Sequence, residues 1–184
     1  MEITKGSTFE DTIRWATDRC VFAPITAIAQ SAPCVITSVA HGLVDGWDVK
    51  IESVKGMTEI NNQKGVAHVI SADSISIDCL NSLDFTAYTS GGVIRYMIPE
   101  DMTGFEARQV IKDRVGGMVL LTLSSATGEI VVDNVTKRID RTIPASVTEA
   151  LTWRRGISDL ELFTLNGYVV KIIESEEVTV SSEV

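Results

Sequence analysis

Residues Ser74 to Cys79 read Ser-Ile-Ser-Ile-Asp-Cys, a strict alternation of apolar and polar side chains, and this two-residue period recurs along the chain while a helical period does not. Ile75, Ile77 and Cys79 are expected on one face of a strand, with Ser74, Ser76 and Asp78 on the other. A chain written in this period buries one face of each strand against a second sheet or against its own curl. The fold is therefore expected to be a sandwich or a barrel.

Further runs fit the same reading. Phe9, Ile13 and Trp15 are expected to point inward from an opening strand, followed by a turn-like stretch ending at Pro24. Short β runs are expected at 34–39, 49–54, 66–70 and 93–98, then in FEARQVIKD, MVLLTLSS, EIVVDN, DLELFTL, YVVKIIES and the closing EVTVSSEV, where Val178 and Val180 point inward. Asn166-Gly167 is a strong hairpin signal, because both residue types reach positive φ readily, and it implies a nearly fixed register. One helical turn is expected between Ser146 and Trp153, with Ser146 and Glu149 forming a capping box.

Composition narrows the function. The 184 residues carry a formal net charge of −9 with a pI near 4.7, which disfavours a phosphate-neutralising nucleic-acid binder. No apolar run approaches membrane-spanning length, and charges sit where a signal peptide would be apolar, so a product made in the cytoplasm is expected. Cys20, Cys34 and Cys79 have no metal or disulfide spacing and are read as small buried hydrophobes.

Only two histidines exist, and most acid–base or metal chemistry would have to pass through them. His41 is read as orienting the turn after it, and His68 as a structural or surface residue. No serine elbow or phosphate loop is present, and the pairs Gly91-Gly92 and Gly116-Gly117 are read as turns or bulges. Asp133, Asp140, Glu174, Glu176 and Glu177 are glycosidase candidates by residue type alone, with Glu176 and Glu177 expected on opposite faces. Neither a catalytic residue nor a cofactor or metal ligand is expected, and the chain is read as a non-enzyme. Trp15, Trp47 and Trp153 are read mainly as core. Trp47 in its wide turn, together with Met57 and Tyr88, is the expected interface set.

Two stretches carry a family likeness. The motifs HGL (His41 to Leu43), DGW (Asp45 to Trp47), GMTEIN (Gly56 to Asn61) and YTSGG (Tyr88 to Gly92) resemble the first catalytic cysteine half-domain of ubiquitin-activating enzymes, in the form found in phage proteins. The stretch from DMTGFEARQVIKD to EVTVSSEV resembles the N-terminal β-sandwich of siphophage upper-baseplate proteins, with Asp101-Met102-Thr103-Gly104 in place of the usual D-L-T-G. Together they imply an all-β chain: an immunoglobulin-like or related β-sandwich at 1–24 plus 93–184, interrupted by an inserted small β-barrel domain at 25–92.

The resemblance also implies a role. The chain is expected to be a virion structural protein of a tailed bacteriophage, a tail, baseplate or fibre-adaptor component. It would work by protein–protein assembly with other virion proteins and with copies of itself, without nucleic acid or membrane insertion. A capsid decoration (cement) protein is one alternative, and a carbohydrate-binding or depolymerising tail module is the other.

Overall fold

The structure is a computed structural model and describes residues 1–182. In chain order its strands are β1 (Glu2–Thr4), β2 (Phe9–Ile13), β3 (Ala16–Pro24), β4 (Ala27–Ile28), β5 (Cys34–Thr37), β6 (Trp47–Lys55), β7 (Lys64–Ser71), β8 (Ser74–Ile77) and β9 (Ser90–Pro99). There follow β10 (Phe105–Lys112), β11 (Val119–Ser124), β12 (Ile130–Asp133), β13 (Arg138–Ile143), β14 (Arg155–Thr164) and β15 (Val169–Ser181). Helix is confined, among the described residues, to a 3-10 turn at Thr58–Ile60 and to α1 (Ala145–Glu149).

The chain divides into two compact units, Met1–Trp15 with Glu100–Val184, and Ala16–Pro99. The expected limits at Pro24 and Val93 fall instead at the far end of β3 and inside β9, which pair antiparallel from Ala16↔Pro99 to Pro24↔Val93. The stretch read as a turn before Pro24 is therefore a nine-residue strand. Its alternation is hidden by a register shift between Ala16 and Cys20.

The discontinuous unit holds a five-stranded sheet, ordered β1-β15-β14-β10-β11, and a three-stranded sheet, ordered β12-β13-β2. One core fills the space between them, with Ile3, Ala107, Ile111, Leu123, Leu160, Leu162, Val178 and Val180 from the first sheet and Ile130, Ile139 and Ile143 from the second. Two sheets sharing one apolar interior make a β-sandwich. The two ends of this unit's sequence are joined directly: β1 runs parallel to β15, and the Met1 ammonium donates to Glu176 Oε1 (3.0 Å) and to the Glu177 carbonyl (2.9 Å).

The Asn166-Gly167 hairpin forms, but not with both residues at positive φ. Gly167 alone has φ +82°, and its N–H donates to the Thr164 carbonyl (3.0 Å). The register is constant only near the turn, slipping between Ser158 and Leu160 and again between Leu160 and Glu161. Ser175 lies opposite those slips at φ +55°, its N–H tied to Asp159 Oδ1 (2.8 Å). The two runs expected at 168–175 and from 177 onward are thus one bulged strand, β15. The expected capping box is absent: α1 starts after Pro144 with no side-chain cap, so Ser146 lies within the helix, which ends at Glu149.

A half-buried ion pair joins β13 to β2 and reaches β15 of the facing sheet. The Arg141 side chain is 3% exposed, pairs with Asp11 and lies 3.9 Å from Glu176 Oε2, with its guanidinium 5.9 Å from the Phe9 ring centre. Replacing Asp11 with Asn leaves a buried cation short of its nearest counter-charge. Because Asp11 is itself partly exposed, water replaces some of the loss, and the expected destabilisation is about 2 kcal/mol, read from urea unfolding.

Several carboxylates of this unit are held ionised by turn hydrogen bonds. Asp133 is pulled below its ordinary value by the Thr136 hydroxyl (2.7 Å) and by the N–H groups of Thr136 and Val135. Thr103 does the same to Asp101 through its hydroxyl and N–H, and the Thr127 hydroxyl to Glu129. A depressed folded pKa gives stability that is present above the unfolded value and is lost as pH falls through the folded one. The sandwich should hold its stability down to about pH 4 and lose it below, and Asp133→Asn should flatten that acid limb in pH-dependent unfolding curves.

The unit Ala16–Pro99 is one seven-stranded sheet, ordered β3-β9-β6-β7-β8-β5-β4. Its two edge strands are consecutive in the chain: β3 ends at Pro24 and β4 begins at Ala27. Three residue steps span at most about 11 Å, so the two ends of the sheet must be brought round to each other. The sheet is accordingly rolled like a small barrel. Its interior holds Ile25, Ile28, Cys34, Ile36, Val49, Ile51, Ile75, Ile77, Ile94 and Tyr96.

Candidate functional site

The motif residues of the rolled sheet are the natural candidates for a site, and each has a structural task. His41 is 4% exposed and bridges two turns. Its Nδ1 accepts the Leu43 N–H (3.0 Å), which leaves Nε2 to donate to the Ser71 carbonyl (2.9 Å), while its own carbonyl accepts the Tyr96 hydroxyl. Those bonds use both ring nitrogens, leaving none for a metal or a substrate proton. In DGW, Asp45 Oδ1 accepts the Val69 N–H (2.8 Å) and lies 2.7 Å from the Nδ1 of exposed His68, so His68 is a surface residue paired to a turn.

Trp47 is not a surface contact. The inward parity of Val49 and Ile51 extends two residues back to the start of β6, so Trp47 is 3% exposed, and its Nε1 donates to the Met97 carbonyl (2.8 Å). Met57 precedes the 3-10 turn and is fully buried with Ile60, so it too is core. Tyr88 is partly buried, its hydroxyl shared between the carbonyls of Ile25 and Gly91, both 3.0 Å away. The expected interface set is thus built into the fold: two residues lack exposed area, and the third has its polar tip engaged.

The remaining motif positions follow suit. Asn61 pairs with both backbone groups of Val54, accepting its N–H (2.8 Å) and donating to its carbonyl (2.9 Å), as a strand neighbour would. Gly56 sits at φ +83°, and Gly92 at φ +93° beside the Val54 side chain.

Cys34 is buried as expected, and burial pushes its thiol above the ordinary range, the reverse of what a nucleophile needs. Cys79 departs from the expected inward position: it lies outside β8, exposed, at φ +59°, because the Leu80 N–H closes a turn onto the Ile77 carbonyl (3.3 Å). Cys20 is intermediate. The carboxylate candidates are dispersed and mostly tethered: Asp133 in its turn, Asp140 to Arg138 (2.9 Å) and Thr12 (2.6 Å), Glu174 to Lys171 (3.2 Å), and Glu176 to the N-terminus. No group of three or more potential metal ligands occurs among the described residues.

This geometry gives meaning to a family match. Residues 33–97 match the ubiquitin-activating enzyme E1 FCCH domain. The match lies wholly inside the rolled sheet, running from Pro33 before β5 to Met97 in β9, and it leaves β3 and β4 outside. The half-domain likeness read from HGL, DGW, GMTEIN and YTSGG is therefore shown for this unit, and its signature residues are those that fix turns and fill the core. No curated protein matches the chain.

One feature of the FCCH-like unit has no counterpart among the motifs. A depression of about 450 Å³ on its outer surface is lined by Asp48, Val49, Lys50, Lys64, Gly65, Arg95, Tyr96 and Met97. Its three cations are far apart in sequence, and only strand register brings them together.

Proposed function

We propose that this chain is a non-enzymatic structural component of a tailed-phage virion, a tail, baseplate or fibre-adaptor part that acts by assembly with other virion proteins and with itself. The observation that carries this reading is the discontinuous sandwich, interrupted in sequence between β2 and β10 by an FCCH-like unit; we read that sandwich as the attachment domain of an upper-baseplate-type protein. In such an arrangement the sandwich supplies attachment, while the inserted unit extends the surface available to a neighbour. The use of the FCCH motif residues in turns and core fits a part whose work is shape and contact rather than bond making.

Immunogold labelling of intact phage particles with antibody to the chain tests the proposal. Label on tails is the expected result. Capsid label would favour a decoration protein, and particles without label would overturn the virion reading.

A further inference from the structure

Four adjacent positions on the outer face of the FCCH-like unit form one cross-strand row. Phe22 on β3 is the register partner of Arg95 on β9, Arg95 of Lys50 on β6, and Lys50 of Lys64 on β7. Register partners share a face and stand one strand apart, about 4.8 Å. Like charges directly opposite one another are destabilising in a sheet, and an outward position would accept any polar residue. Three cations in line, in a chain of net charge −9, are therefore not required by the fold.

Glu52 offsets part of the repulsion, with Lys50 Nζ at 2.8 Å and Arg95 Nη1 at 3.6 Å, and it is held low by those partners, Lys50 foremost. Lys64 is exposed, and among the described residues no carboxylate pairs with it. Asp48, two residues along β6 and on the same face, is the acidic group on the other flank. At the end of the row the Phe22 side chain is 55% exposed.

We propose that this row binds a linear carboxylated polysaccharide, its carboxylates on Lys64, Lys50 and Arg95 and a sugar ring stacked on Phe22. The exposed Phe22 separates this ligand from an extended acidic peptide: an acidic sugar polymer offers a carboxylate on each ring and also an apolar ring face to the aromatic, whereas an acidic peptide offers carboxylates alone. The inference goes beyond assembly and stands without it.

Binding of the full chain to polygalacturonate, measured by isothermal titration with poly-L-glutamate and dextran alongside, tests it. The expected result is salt-sensitive binding to polygalacturonate alone, weakened about tenfold or more by Lys64→Glu, the loss of one charge-assisted contact. Phe22→Ala should weaken it about fivefold, on the scale of a lost stacking contact. Thermal melting confirms that both surface variants remain folded. Equal binding of poly-L-glutamate would overturn the proposal by showing a response to charge alone. Absence of polygalacturonate binding, or binding indifferent to Lys64→Glu, would overturn it as well.

Discussion

Gly56→Ala should unfold the FCCH-like unit under conditions in which the native chain is stable. A Cβ added at this position stands 2.3 Å from the Ala87 carbonyl oxygen and 2.7 Å from the Thr89 nitrogen. Both are backbone atoms of the segment leading into β9, so no rotamer change relieves the overlap. The residue also sits at φ +83°, where an L side chain adds strain of about 1–2 kcal/mol before any contact is counted. Steric overlap with fixed neighbours adds about 1–3 kcal/mol, for an expected total of about 3 kcal/mol or more.

The loss should be local. Amide exchange in β6 and β9 is expected to accelerate by about a hundredfold or more, while β10 and β14 keep their protection. Gly167→Ala is the matched control, because Gly167 has φ +82° with nothing within 4 Å of an added Cβ, so only the same backbone strain of about 1–2 kcal/mol applies. Similar effects of the two substitutions would refute the steric account.

Gly56 also illustrates what the sequence could and could not disclose. GMTEIN was legible as a signature, but the reason for it was not: Gly56 is held by Ala87 and Thr89, some thirty residues away, and Asn61 acts as a surrogate strand partner for Val54. Strands with unbroken alternation, such as Ser74–Ile77, could be read directly. β3 could not, because the register shift before Cys20 breaks its period and its partner β9 lies some seventy residues on. Trp47 differs from expectation for a related reason. Gly46 signals a turn that runs past the true start of β6, although the parity of Val49 and Ile51 points Trp47 inward. The cation row had no local signal at all, since residues 50, 64 and 95 become neighbours only through two strand registers.

Those same registers decide where the inserted unit can be removed. Excising Ala16–Pro99 and joining Trp15 to Glu100 through two or three Gly/Ser residues should leave a soluble, cooperatively folding β-sandwich. The Glu100 N–H donates to the Trp15 carbonyl (3.0 Å), so the two stubs are already strand neighbours, about 5 Å apart. Every strand of both sandwich sheets lies outside the excised span. The narrower excision of residues 25–92, drawn at the limits the sequence suggested, should behave worse. It keeps β3 and β9 as a two-stranded ribbon but removes β6, so Ile94 and Tyr96, now 0% and 6% exposed, lose the interior they pack into. An isolated two-stranded ribbon is marginal in water, and its open edge and apolar face invite association. Size-exclusion chromatography and near-ultraviolet circular dichroism separate the outcomes. The wider excision should elute as a discrete folded species and the narrower one as aggregate. Aggregation of both would mean that the sandwich depends on the unit that interrupts its sequence.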